Sequence, residues 1–342
     1  MTSDRDTGGL GWIKAVLVGV ALVALAGAAG WLLWSAPSPP PAGPATAPPA
    51  STPPPALPAP VAASTGDYTA NLSTGVQPPE FSGGTVTRTR KGDRPMLGRY
   101  DRSGVTFTLD ALPPHEAVHL VMDLALLNSW NGSSAYWGPD VWSCDEAGGG
   151  RHLFAATFCN CGFFSNNNEQ TFPDQYPAPD GAAPYPAWTG AAEKEDLGEM
   201  HHFSNSSPED GDCSSVYHLD WTFPHRQPVL ALDFKGRFKD KHMRFAFLGF
   251  HAQTVAHLTQ LTDTDAAAAW VDLSDDDPVK ANAAVWRLAS AGGTVLPYVH
   301  RRMTEPPAGG ASPYLPGRIG HLLQVLGETS PSPGPPEPLP AP

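Results

Sequence analysis

Tyr217-His-Leu-Asp-Trp-Thr-Phe223 alternates apolar and polar residues without a break. Successive side chains of an extended chain point to opposite faces, so Tyr217, Leu219, Trp221 and Phe223 share one face and His218, Asp220 and Thr222 the other. Such a segment reads as a half-buried antiparallel strand. The same period of two recurs at Val105, Phe107 and Leu109, at Val118, Leu120 and Met122, and at Leu230, Leu232 and Phe234. Pro, Gly and Asn punctuate these runs, and no helical pattern separates them. The expected fold is mainly β: an antiparallel β-sandwich, jelly-roll-like, over residues 65–255.

Beyond His257 the period changes. Ala266, Ala269, Trp270 and Leu273 fall at i, i+3, i+4 and i+7, as do Ala281, Ala284, Val285 and Leu288; Val295, Tyr298 and Val299 begin a third such face. This spacing predicts a small unit of about three helices over 256–327. Asp263 or Asp265 would cap the first, and Asp277 before Pro278 would start the second. A Pro-rich tail, 328–342, cannot build a core.

The N-terminal side reads differently again. Ala15 to Trp34 is uncharged and apolar, long enough at 1.5 Å per residue to cross a roughly 30 Å hydrocarbon layer. Arg5 and Lys14 precede it, and no Lys or Arg follows until Arg88. The positive-inside rule then keeps residues 1–14 in the cytoplasm and exports the rest. The expectation is a single-pass membrane protein with its bulk periplasmic or extracellular. A cleaved signal peptide ending at Ala26-Gly27-Ala28 is the alternative, and it too exports the bulk. Residues 35–64 are almost wholly Pro, Ala, Ser and Thr, an extended linker that could reach roughly 90 Å.

The net charge is -13. Only one short basic run, Arg88-Thr-Arg90-Lys91 with Arg94, stands out, so nucleic acid is not an expected partner. The four cysteines, Cys144, Cys159, Cys161 and Cys213, all fall in the β region. An even count in an exported domain predicts disulfides. Cys159 and Cys161 share a strand face, so Cys144 and Cys213 would pair with them, in either order. A zinc site is the rival, although the spacing lacks the usual C-x-x-C pairs.

Ordered motifs carry a resemblance. Val105-Thr-Phe-Thr-Leu-Asp-Ala-Leu-Pro-Pro-His115 leads to Ser129-Trp130-Asn131-Gly132, Gly138-Pro-Asp-Val-Trp142, Gln175-Tyr-Pro177, and Ser215-Val-Tyr-His-Leu219 with Thr222-Phe-Pro-His225. This order, over about residues 98–255, resembles an uncharacterised exported β-sandwich family, lectin-like or carbohydrate-binding-module-like, of planctomycete surface proteins. Two departures matter. The family's Ser-Trp-Asp-Gly has Asn131 here, and its acidic closing run is replaced by His242-Met-Arg-Phe-Ala-Phe-Leu-Gly249. If those acids hold calcium in relatives, this copy has lost the site. The cysteines are not part of the family pattern. The segment from Ala269 to Val299 resembles a HEAT-like helical unit.

Enzyme motifs such as G-x-S-x-G, H-E-x-x-H and phosphate loops are absent. Glu193, Glu195, Asp196 and Glu199 form a carboxylate cluster without the spacing of sandwich glucanases, and a solvated loop explains it as well. The histidines, including His115, His201, His202, His218 and His225, show no metal-ligand spacing. Glu209, Asp210 and Asp212 could hold calcium or simply solvate a loop. No cofactor or metal is expected.

Trp130, Tyr136, Trp137 and Trp142 crowd one span with Asn131 and Asp140. Trp130 and Trp142 read as core. Tyr136 and Trp137, between Ser134 and Gly138, read equally as core or as a ligand platform, with Asn131 and Asp140 as hydrogen-bonding neighbours. The expected function is a membrane-tethered, non-catalytic module that binds a glycan or an envelope component. A glycoside hydrolase of unrecognised type and a structural envelope scaffold remain alternatives.

Overall fold

The computed structural model describes residues 66–134, 136–160, 169–177, 185–199, 212–304, 312 and 314–327. The Ala15–Trp34 span, the 35–64 linker, Cys161, His201, His202, Glu209, Asp210 and the 328–342 tail lie outside them. Among the described residues no helix is long and apolar enough to cross a membrane. All of them belong to one unit, Pro58–Pro342.

The alternating segments form strands as the pattern requires. In chain order these are β1 (Asp67–Thr69), β2 (Thr85–Arg88), β3 (Pro95–Tyr100), β4 (Val105–Leu109), β5 (Ala117–Leu127), β6 (Val141–Glu146), β7 (His152–Thr157), β8 (Glu169–Gln170), β9 (Tyr185–Pro186), β10 (Glu193–Lys194), β11 (Ser214–Pro224), β12 (Leu230–Arg237) and β13 (Arg244–Val255). A seven-stranded sheet runs β10-β11-β5-β13-β3-β2, with β1 beside the second half of β13. A four-stranded sheet runs β4-β12-β6-β7, and β8 pairs with β9. Every pairing is antiparallel.

The two larger sheets face each other across an aromatic core. Phe107 of β4 lies 4.6 Å from Phe250 of β13, Phe234 of β12 5.1 Å from Phe247 of β13, and Phe154 of β7 5.1 Å from Trp221 of β11. These are ring-centroid distances typical of favourable tilted pairs. Tyr217, Leu219, Trp221 and Phe223 are buried as the alternation predicts, while His218 and Asp220 are exposed. In β13 the alternation is broken by a bulge between Phe247 and Gly249. One extra residue resets the parity, so Phe247 and Phe250 both reach the core and His251 and Gln253 turn out.

The four-stranded sheet stops at β7 while the opposite sheet continues, and the helices fill the open side. They are α1 (Asp263–Leu273), α2 (Pro278–Ala289), α3 (Leu296–Thr304) and α4 (Leu315–Val325). Trp286 of α2 stacks on Trp221 at 4.8 Å and 19°. His321 of α4 donates from Nε2 to the Leu153 carbonyl of β7 at 2.9 Å. Sandwich and helices thus share one apolar core. Asp277 caps α2 ahead of Pro278 as expected. The cap of α1 is instead Thr262, which closes a capping box with Asp265. Helix α4 went unread because Pro316, Gly317 and Gly320 weaken its intrinsic propensity; packing supplies what propensity lacks.

The expected bridge from Cys144 is not formed. Cys144 is a buried free thiol facing the core, and burial pushes its pKa well up. The register sets it opposite Phe154, five residues short of Cys159 on the neighbouring chain segment. At roughly 3.3 Å per residue that is about 16 Å, far beyond disulfide reach. No disulfide forms among the described residues.

Candidate functional site

The loop joining β5 to β6 carries all four candidate ligand residues. Its base is built from backbone bonds to two other segments and one bond within the loop. Gly132 N–H donates to Phe158 O at 2.8 Å, Ser133 N–H to Glu169 O at 2.7 Å, and Asp140 N–H closes the loop on Gly132 O at 2.8 Å. Gly132 has a φ of 60°, and a Cβ there would sit 1.9 Å from the Glu169 carbonyl oxygen, so the position requires glycine. Trp130 is buried; its Nε1 donates to Arg244 O at 3.1 Å, tying the loop to the start of β13.

Asn160 went unremarked in the sequence, yet it is a keystone. Its side chain accepts from Trp130 N–H at 2.8 Å and donates to Leu126 O and Cys213 O at 3.2 and 3.4 Å. Gln170 plays a similar part, accepting from Cys159 N–H and donating to the Phe172 and Thr189 carbonyls. Buried amides gain free energy only when their bonds are made, so both fix the loop base in one conformation. Nothing in the local sequence separates them from surface Asn and Gln.

Asn131 and Asp140 are brought together, but inward. The Asp140 carboxylate Oδ2 accepts from the Asn131 backbone N–H at 2.6 Å and from its side-chain amide at 3.1 Å. Asp140 is fully buried. Burial pushes its carboxyl up to about 7, against the opposing effect of the Asn131 bonds and the Lys239 backbone. It braces the loop from within and offers no atom to solvent.

Tyr136 and Trp137 sit at the tip, 75 % and 47 % exposed. Their ring centroids are 4.6 Å apart and the planes meet at 84°, which makes a corner. Trp137 N–H bonds Ser134 Oγ at 3.2 Å, and Lys239 Nζ donates to Tyr136 O at 3.1 Å. By contrast Trp142 is wholly buried, stacked on Phe234 at 5.8 Å.

No family model matches the chain, and no curated protein sequence matches it. Among solved structures it is similar to a carbohydrate-binding module from Cellvibrio mixtus lichenase 5A, determined with cellotriose: 12 % identity over 55 % of this chain and 97 % of that one, with a TM-score of 0.26. A score that low carries no argument. The planctomycete and HEAT-like resemblances therefore rest on the sequence motifs alone.

Three of the four cluster carboxylates meet cations in or beside the basic run. Glu193 meets Arg94 at 2.5 Å, Asp196 meets Lys91, and buried Glu199 takes a two-pronged bond from Arg99 at 2.5 and 3.0 Å. Asp212 accepts from Gly198 N–H and Glu199 N–H at 2.5 and 3.1 Å. These acids are structural partners, not a facing catalytic pair. His115 and His225 bond each other at 2.8 Å and stack at 15°. Sequence reasoning also missed a polar lattice on the outer face of the seven-stranded sheet. There His119 bonds Asp220 and His218 bonds Asp123, each at 2.8 Å, and His251 bonds Thr69 at 2.9 Å. Partners roughly 100 to 180 residues apart leave no local signal.

Proposed function

We propose that this chain is a non-catalytic extracytoplasmic binding module that takes a glycan on Tyr136 and Trp137, tethered by the Ala15–Trp34 span. The observation that carries the reading is the exposure of two large rings on a loop whose base is fixed by backbone bonds to two other segments and by the Trp130 side chain to a third. Burying such a ring stabilises a protein by about 1.5–3 kcal/mol, yet these two stay at the surface of a fold that buries Trp130 and Trp142 nearby. Aromatic faces stack on the apolar faces of pyranose rings, and a braced loop loses little entropy on binding. The corner between the rings suits a single sugar unit gripped from two sides more than a flat polymer surface.

Trp137→Ala is expected to weaken glycan binding up to about tenfold, from loss of a contact worth 0.5–1.5 kcal/mol beyond its area. Its melting temperature should stay near the parent's, because surface substitutions usually fall within about 0.5 kcal/mol. Trp142→Ala is the matched control and should destabilise by about 3–5 kcal/mol. A glycan array read alongside thermal melts tests both. The platform reading fails if Trp137→Ala unfolds the domain or binds like the parent.

The tether has its own test. A reporter fused after Pro60 should be active only when it works outside the cytoplasm, given the uncharged span and the Arg5 and Lys14 flank. A fusion active in the cytoplasm and protected from external protease reverses the topology.

A further inference from the structure

The rim of the aromatic corner has a charge opposite to that of the chain. Residues 237–244, the end of β12 and the turn into β13, carry Arg237, Lys239, Lys241 and Arg244 against Asp240. The adjoining turn adds Arg102 beside Asp101. Five cations against these two carboxylates, with buried Asp140 as a third beneath them, leave a local excess of two to three positive charges in a chain of net charge -13.

The fold places this excess at the site. Arg237 pairs across the strands with Val141, just past the loop. Lys239 Nζ donates to the Tyr136 carbonyl at 3.1 Å, and the Arg102 guanidinium donates to the Lys239 carbonyl. Arg244 curls onto the Lys241 and Met243 carbonyls at 2.5 and 2.6 Å, while its own carbonyl holds Trp130.

Most cations elsewhere meet carboxylates, as with Lys91, Arg94, Arg99 and Arg151, while Lys194 and Arg301 lie over aromatic rings instead. Among the described residues Arg102, Arg237, Lys241 and Arg244 make no ion pair. Lys241 and Arg102 are exposed. Like charges gathered on two adjoining turns repel one another and are held there by the backbone bonds above; an anionic ligand relieves that repulsion.

We infer that the Tyr136–Trp137 site takes an anionic glycan, a polymer whose sugar rings bear carboxylates. A ring stacks in the aromatic corner while its charges meet Arg102, Lys239 and Lys241. This rests on the glycan reading and narrows it to one chemical class.

The test measures binding of the full chain to polygalacturonate and to its carboxyl-reduced, neutral counterpart of equal length. The charged polymer should bind about tenfold tighter at low salt, with the advantage shrinking by ~0.5 M salt, where the Debye length falls to a few ångström. Lys241→Glu and Arg102→Gln should each weaken only the charged polymer, about two- to fivefold, with unchanged melting temperature. Trp137→Ala should weaken both polymers. Equal binding of the neutral polymer without salt dependence overturns the anionic inference and leaves the stacking reading standing. If the charge variants act but Trp137→Ala changes neither polymer, the stacking reading falls and this inference falls with it. Binding of neither polymer also overturns it, as does preferential capture of anionic phospholipid vesicles or single-stranded nucleic acid through the same cations.

Discussion

Arg318→Met is expected to cost about 3–5 kcal/mol of unfolding free energy, the range for breaking one side of a buried ion pair. The Arg318 side chain is 1 % exposed. Its Nε reaches both Asp174 oxygens at 3.0 and 3.2 Å, its Nη1 reaches the Leu273 and Asp275 carbonyls at 3.1 and 2.6 Å, and its Nη2 reaches Tyr185 Oη at 3.2 Å. One guanidinium thus ties α4 to the end of α1, to β9 and to the segment before it. Methionine keeps the stem, leaves two helix-end carbonyls without their donor and leaves Asp174 only the Tyr185 hydroxyl. Lysine should not rescue, since a single ammonium cannot reach three directions at once. In urea unfolding the midpoint should fall while the slope holds. A loss below about 1 kcal/mol would show that water replaces the guanidinium and that the staple does not hold the helices.

The second expected result is a hidden pH dependence. His321 is buried between Phe154 and Trp286, and its Nε2 carries the proton because a carbonyl can only accept. Burial pushes its pKa down to about 3. The unfolded chain, with a histidine near 6.5, therefore binds the extra proton first. Its contribution to stability is full above about 6.5 and is lost as pH falls toward 3, about 1.36 kcal/mol per unit or roughly 4–5 kcal/mol in all. Asp140 works the other way. Its folded pKa of about 7 lies above the unfolded 3.8, so its contribution is full below 3.8 and is lost as pH rises through 7. Between about pH 4 and 6.5 the two slopes oppose, and the parent should look nearly flat.

The variants separate them. Asp140→Asn should become acid-sensitive over that window. His321→Gln, which keeps a donor for Leu153 O, should lose stability as pH rises through it. Chemical denaturation at several pH values reads both slopes. Parallel curves for parent and variants would mean that neither group titrates as its burial demands.

The strands were legible wherever one face is core and the other water, because burial then writes a period of two into the sequence. Strand β11 is the clear case. Strand β13 hid because its bulge resets the period midway, and the run from His242 to Gly249 reads as a lost acidic motif instead of an aromatic strand. The burial of Trp130 and Trp142 was legible, but the exposure of Tyr136 and Trp137 was not, because small flanking residues mark a loop without fixing which way its rings turn. Asp140 did not follow, since its residue type says surface and only the closure of the loop on Phe158 and Lys239 buries it. The acidic and basic runs each looked solvated alone. Their pairing across β2, β3 and β10 depends on strand order, which no local window contains.

The Trp221–Trp286 stack also bears on how the chain is made. Synthesis runs from the N-terminus, so both sheets are complete once Val255 emerges, while Trp221 and Phe154 still lack the rings of α2 and α4. Until residue 325 follows, an aromatic strip faces whatever the chain meets first. The C-terminal helices thus act as a built-in lid on a sticky intermediate. Chains that end anywhere between Val255 and Val325 should be recovered from aggregates and not from the folded pool.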